Sequence, residues 1–413
     1  DKGGQATALH TLAKSSMERG HYGETLEAAL EAMDLWKELD RRGDEAVALG
    51  TVVSARLLNK EADAALRTAK KAQTRFHQLG DSSGEAAALR GVASAHLDMG
   101  APRHAQLALR DAVALHRRAK DKIGEAAAQT LAINAHLWAG EVDEAFQLAS
   151  TVRSLYQDLK DKKGEATVLE TMTHVHLARE RPEEALKVTK EMCGIYRHLN
   201  EKHAEARGRT TMAQIYLDRG AATEALWAAK EAATLYQSCG DTTGAASTLH
   251  TIAQSHMYRY QVACDSYRSE ADYRRLPLED VQEALSSAKK ARMLFKQSED
   301  YSSELVVLHT VANAHFCQGD ARAAVRSSEE AVALARRIGD RRAEASALLL
   351  SASLYFESKR HSPALRTARE AQDHFQELGD EEGEAAAAQI VQAIEELAPA
   401  QRGSASSVFN RQS

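Results

Sequence analysis

The sequence predicts an all-α protein, an α-solenoid of stacked antiparallel helix pairs. Three observations predict it. The phrase Leu79-Gly80-Asp81-Ser82-Ser83-Gly84-Glu85-Ala86 returns at a step of 40 residues, as Ala119-Lys120-Asp121 with Gly124-Glu125-Ala126 and as Leu159-Lys160-Asp161 with Gly164-Glu165-Ala166. Ile338-Gly339-Asp340 and Leu378-Gly379-Asp380 open later copies. Self-similarity at a fixed period marks units that bury their apolar faces only by stacking on one another. Within a period, apolar residues recur at helical spacing, as in Leu89, Val92, Ala93 and Leu97. Finally, 413 residues exceed what one hydrophobic core spans, about 250–300 residues, whereas 5 Pro and 23 Gly are too few for a disordered linker protein.

Each unit holds two helices. Asp81 or Asp121 caps the start of the first, and Glu85 or Glu125 favours the positive end of its dipole. A glycine commonly closes it (Gly20, Gly100, Gly140, Gly220, Gly319). Pro102 and Pro182 then open second helices, where a missing N–H costs nothing. One site in successive second helices reads Ala65, Ala105, Ala145, Ala185, Ala225, Ala284, Ala324, Ala364. So constant a small residue is needed where two helices cross too closely for a larger side chain. Opposite runs a bulky column of Leu9, Leu49, Leu89, Leu169, Leu249, Leu308 and Leu348. The frame slips once, at 239–297, where an insertion at about 259–277 lengthens the repeat, and it resumes at Glu283-Ala284-Leu285. The expected organisation is therefore a continuous array over residues 1–398, nine helix pairs plus a terminal helix, and a flexible tail over 399–413.

The alanine and leucine columns resemble the tetratricopeptide repeat family, in its long variant of about 40 residues found in kinesin light chain and the Leu-Gly-Asn repeat adaptors. The resemblance covers residues 1 to about 396. It implies a right-handed superhelix whose first helices line a concave surface, and a role in holding other proteins. Where the family often has Tyr, this chain reads Ser16, Arg56, His96, His136, His176, Tyr216, His256, His315, Tyr355. These histidines are expected to pack as flat amphipathic residues in place of Tyr, with pH-sensitive packing as the alternative.

Several chemistries are excluded. Lys plus Arg (53) nearly balance Asp plus Glu (59), for a net charge of −6, which argues against nucleic acid as a partner. No apolar run reaches the roughly 18 residues of a membrane span, so direct membrane insertion is not expected. Motifs for nucleophilic, nucleotide or zinc chemistry are absent, and the chain is expected to be no enzyme, with no catalytic residues, cofactor or metal. Equivalent histidines on neighbouring first helices lie about 10 Å apart, too far for one zinc ion. Cys193, Cys239, Cys264 and Cys317 form no C-x-x-C pair, which fits an intracellular, reducing compartment such as cytoplasm or an organelle matrix or stroma. Asp1 already lies in the repeat frame and says nothing of a targeting segment.

Two surfaces are candidates for binding. On the first helices one column reads Lys14, Ser54, Ser94, Asn134, His174, Gln214, Gln254, Asn313, Ser353. One turn earlier stand His10, Gly50, Arg90, Thr130, Glu170, Thr210, His250, His309, Leu349. If first helices line the concave face, as the resemblance implies, Arg90, Asn134, His174, Gln214, His250, Gln254, His309 and Asn313 would grip partner segments. Their amide character contrasts with the charged outer faces (Lys70, Lys71, Lys230, Glu231, Lys289, Lys290), although an ordinary solvated face is the alternative. The second candidate is the insertion, with Tyr258, Arg259, Tyr260, Tyr267, Arg268, Tyr273 and Arg274, residue types enriched at interface hot spots. The alternative there is a lengthened first helix and a loop ending at Pro277, packed on its own repeat. The expected function is a protein–protein interaction scaffold or adaptor and a subunit of a larger assembly. A peptide- or ligand-sensing regulatory domain is the other reading.

Overall fold

The computed structural model describes residues 1–266 and 277–409, with side chains to residue 397 in the last helix. Among the described residues there are nineteen helices and no strand. They are α1 (Lys2–Glu18), α2 (Tyr22–Glu38), α3 (Arg42–Leu58), α4 (Ala62–Gln78), α5 (Ser82–Asp98), α6 (Pro102–Arg118), α7 (Lys122–Trp138), α8 (Val142–Asp158), α9 (Lys162–Ala178), α10 (Pro182–His198), α11 (Lys202–Asp218), α12 (Ala222–Cys239) and α13 (Thr242–Ser266). After Pro277 follow α14 (Leu278–Gln297), α15 (Tyr301–Cys317), α16 (Ala321–Ile338), α17 (Arg341–Glu357), α18 (His361–Leu378) and α19 (Glu381–Phe409). First helices thus begin 40 residues apart, except across the long repeat. The chain divides into two compact units, residues 1–215 with 231–242, and residues 216–230 with 243–413.

In the first unit each helix of α1 to α10 packs on its sequence neighbours, and α5 packs also on α3 and α7. Asp81 accepts from the Ser83 and Gly84 N–H groups, and Asp121 from Gly124, as expected of N-caps. Pro102 and Pro182 occupy the first turns of α6 and α10. Ala65, Ala105, Ala145 and Ala185 are fully buried, and so are Ala225, Ala284, Ala324 and Ala364 of the second unit. Turns recur every twenty residues and use a left-handed residue each time, glycine at Gly80 (φ +67°) but lysine at Lys120 (φ +57°) and Lys160 (φ +56°). There the N–H of the next residue closes the turn, as when Asp121 donates to the His116 carbonyl at 3.0 Å.

Two kinds of contact recur between one pair and the next. The first places a ring of a second helix against a glycine eight residues on. A Cβ added to Gly84, Gly124 or Gly164 would lie 2.4, 2.3 or 2.1 Å from Phe76, His116 or Tyr156 respectively, and Gly383 meets Phe375 in the same way. The second is an acid–base staple. Arg117 Nε donates to Glu125 Oε1 at 2.7 Å, Arg197 Nε to Glu205 Oε1 at 3.0 Å and Arg336 Nε to Glu344 Oε1 at 2.7 Å. These glutamates are buried, so they do more than complement a helix dipole, and their charge requires the partner.

The second unit repeats the scheme in α15 to α19, where α17 packs on α16, α18 and α19. The long repeat departs from it. α13 has 25 residues and α14 has 20, against 17 in α11. Val281, Ala284, Ala288, Ala291 and Phe295 of α14 form a core with Tyr260 and, on α15, Val307 and Val311.

Left-handed turns give a direct test. A side chain at φ above zero costs about 1–2 kcal/mol that glycine avoids, less glycine's entropic disadvantage. Replacing Lys120 and Lys160 together by Gly should raise the melting temperature. Gly80→Ala, whose added Cβ meets nothing within 4 Å, should lower it through backbone strain alone. Differential scanning calorimetry distinguishes these outcomes, and a lower melting temperature for the double glycine variant would contradict the assignment.

Candidate binding groove

The first unit carries two cavities along one face of its first helices. One, of about 820 Å³, is lined from α3, α5, α6 and α7, with Val47, Ala87, Arg90, His116, Ile123 and Ala127 among its residues. The other, of about 620 Å³, takes Thr130 and Asn134 from α7, Thr167, Glu170 and His174 from α9 and Arg207 from α11. Both include Ile123 and Ala127, so they form one continuous groove. The structure therefore brings Arg90, Asn134 and His174 together as residues of one groove.

The groove also uses residues outside the two columns singled out in the sequence. Val47, Ala87, Ala127, Thr167 and Arg207 stand three residues before the Arg90 column, and Ser83, Ile123 and Lys163 four residues earlier still. These spacings continue the same helical stripe towards the helix start. Extending the periodicity backwards by two turns would have found them. Second helices contribute His116 and Tyr156, a column not singled out in the sequence. The lining is also more charged than amides alone implied. Arg207 pairs with Glu170 at 3.1 Å and Lys163 with Glu201 at 2.5 Å, across neighbouring first helices.

The remaining candidates lie elsewhere. Gln214 is exposed on α11. In the second unit, His250 Nε2 lies 2.9 Å from Thr310 Oγ1, which joins α13 to α15, and Gln254, His309 and Asn313 occupy the matching positions on those helices. His309 Nε2 is buried with no hydrogen-bond partner. Of the insertion, Tyr258 is exposed and its hydroxyl sits over Gly220. Arg259 is 3.6 Å from Asp280. Tyr260 is only 8% exposed and packs in the α13–α15 core, so its ring is no surface group. Tyr267, Arg268, Tyr273 and Arg274 lie outside the described residues, as does the stretch from 399 in its side chains.

The histidine column performs two kinds of work. His176 is buried edge-on to Phe146, with ring centroids 5.7 Å apart, and burial lowers its imidazole from the ordinary value. His136 and His256 instead meet acids, Glu141 at 2.6 Å and Asp280 at 2.7 Å. One trio with the spacing of metal ligands, Glu344, Glu370 and His374, is present in the second unit. Arg336 already bridges both of its carboxylates and takes the place a cation would fill.

A family model described as "Tetratricopeptide repeat" matches residues 303–377. No curated protein matches the chain in sequence. Among solved structures, the chain is similar to the Signal Transduction ATPase with Numerous Domains (STAND) protein with a tetratricopeptide repeat sensor from Pyrococcus horikoshii. The TM-score is 0.61 at 12% identity, over 88% of this chain and 55% of that one, so the chain spans about half its length. It is similar also to the apo form of RapI, with a TM-score of 0.58 at 11% identity over 85% of this chain and 97% of the other. At these identities the likeness concerns the fold. Together with the 40-residue period, the alanine column and the helix-pair packing, it gives this chain the helical-repeat fold of tetratricopeptide repeat proteins, with the family model matching residues 303–377. Among the described residues no helix is long and apolar enough to cross a membrane.

Burial holds the His250 imidazole down at about 4. It is therefore neutral in the folded chain, whereas an unfolded histidine titrates near about 6.5. Protonation favours the unfolded state, so the His250 contribution is fully present above about pH 6.5 and is lost as pH falls towards 4. Urea unfolding from pH 7.5 to 5 should show the wild type losing more stability than His250→Gln, by up to about 1.4 kcal/mol per pH unit. Parallel losses in the two proteins would contradict a buried neutral imidazole.

Proposed function

We propose that this protein is a non-catalytic scaffold or adaptor that holds an extended segment of a partner protein in the groove of its first unit, as one subunit of a larger assembly. The single observation that carries the reading is the continuity of the two cavities along one stripe of α3 to α11. First helices about 10 Å apart give a track of roughly 30 Å from α3 to α9, room for about nine residues of extended chain. Asn134 and His174 offer hydrogen bonds to a peptide backbone, and the exposed side chains of Val47 and Ile123 offer apolar contact at the mouth. Tyr258 and Arg259 are a second contact surface for the same class of partner, on the second unit. The partners are proteins rather than nucleic acid or membrane, in keeping with the near balance of charge.

A second reading, a peptide- or ligand-sensing regulatory domain, draws on the likeness in fold to the tetratricopeptide repeat sensor of the P. horikoshii protein. The two readings differ in what occupies the groove, a subunit held constantly or a ligand that comes and goes.

A photo-crosslinking side chain at Thr167, exposed in the groove, should attach to one defined partner segment in the native complex. The same group at Leu107, exposed on second helix α6, should not. Asn134→Ala combined with His174→Ala should weaken that partner by about 1–3 kcal/mol if both are hot spots, with the melting temperature unchanged. Equal crosslinking at both positions, or wild-type affinity in the double variant, would move the binding surface elsewhere.

A further inference from the structure

Two columns of the repeat break their own pattern at the same place. Across the repeats, the ring position of the second helices reads Trp36, Phe76, His116, Tyr156, Tyr196, Tyr236, Phe295, Ala335 and Phe375, with imidazole only at His116. In the column of His10, Gly50, Arg90, Thr130, Glu170 and Thr210, guanidinium occurs only at Arg90. Both side chains line the 820 Å³ cavity of the first unit. Packing alone does not require the imidazole, since a phenyl ring fits against Gly84 as imidazole does against Gly124.

Both groups are left short of partners. His116 is 2% exposed, its Nδ1 lies 2.9 Å from Asp121 Oδ2, and its Nε2 is buried with no hydrogen-bond partner. Arg90 has a buried Nε without a partner and forms no ion pair among the described residues. Burial lowers its guanidinium from the usual value, and its charge in turn helps burial hold His116 neutral. A second unpaired guanidinium on the lining, the exposed Arg118 at the end of α6, also lacks an ion pair among the described residues, whereas Arg42 there pairs with Asp40. The acids nearby are engaged, Asp81 and Asp121 both capping helices. Unpaired buried charge is costly, and proteins retain it where a ligand supplies the counter-charge.

We infer that this cavity is a binding site for a phosphate monoester, with Arg90 and Arg118 taking its charge and His116, which takes up a proton when the dianion binds, donating from Nε2–H to one of its oxygens. Two guanidiniums match a tetrahedral dianion better than a single carboxylate, since each presents a planar fork of N–H donors. The cavity far exceeds a lone phosphate, so the group arrives on a larger body. A phosphorylated side chain of a partner segment is the source if the groove reading above holds, and a small phosphorylated molecule otherwise.

The test is isothermal titration of the full chain with inorganic phosphate, with a phosphoserine hexapeptide and, at equal ionic strength, with acetate. Phosphate and the phosphopeptide should bind, and acetate should bind about tenfold more weakly or worse. Arg90→Thr and His116→Phe, which install residues that other repeats carry at those positions, should each weaken phosphate about tenfold. Arg118→Gln, on an exposed side chain that cannot unfold the array, should weaken it by a smaller factor. Tighter binding of the phosphopeptide than of phosphate names a partner segment as the source, and equal binding names a small molecule. No phosphate binding, acetate equal to phosphate, or unchanged affinity in all three variants would overturn the assignment. The titration does not involve Asn134 or His174, so its failure and that of the groove reading are separable.

Discussion

The structure depends on a ring seated over a missing side chain. The second helices ending in Phe76, His116, Tyr156 and Phe375 press a flat residue on the first turn of the next first helix, where glycine leaves about the room that a methyl group would remove. Because the two partners stand eight residues apart across one tight turn, the contact fixes both the angle and the register at which the next pair begins. The buried glutamate one residue after the glycine is then aimed back at the basic residue that follows the ring, as in Arg117 with Glu125. Where Ala335 replaces the ring, the facing residue is Ala343 rather than glycine.

On the proposed reading, this lock also decides which surface is left for a partner. It commits residues at the start of each first helix to the preceding repeat, and the alanine crossings commit much of each second helix. The stripe left over runs through Thr167, Glu170 and His174 on α9, and through Ala127, Thr130 and Asn134 on α7. Stacking aligns these stripes into a groove, with turn residues such as Gly80, Ala119 and Asp121 adding to the lining. On that reading specificity is written as departures from column averages rather than as a motif, and Arg90 with His116 is one such departure in the first unit.

Most of the fold was legible because its determinants are periodic. The 40-residue step, the N-capping aspartates, the prolines at helix starts and the buried alanines all follow from local chemistry repeated in register. The groove was half legible. Asn134, His174 and Arg90 were found, but Thr167, Arg207 and Ile123 were missed because only two turns of the helical stripe were followed. His116 was hidden by its position in an aromatic column, where a ring reads as core whatever its polarity. Tyr260 shows the opposite failure. Tyr and Arg in one segment suggest an interface, yet burial depends on the rotation of α13 against α14, which composition does not encode.

The central claim is that ring and glycine act as one unit, and a double-mutant cycle on Tyr156 and Gly164 tests it most directly. Gly164→Ala in the wild-type background should destabilise by about 1–3 kcal/mol through overpacking. In a Tyr156→Ala background the same substitution should cost almost nothing, because the ring that a Cβ would strike at 2.1 Å is gone. The cycle should therefore return a coupling of about 1 kcal/mol or more between the two positions. Equal costs of Gly164→Ala in both backgrounds, measured by urea unfolding, would contradict the account.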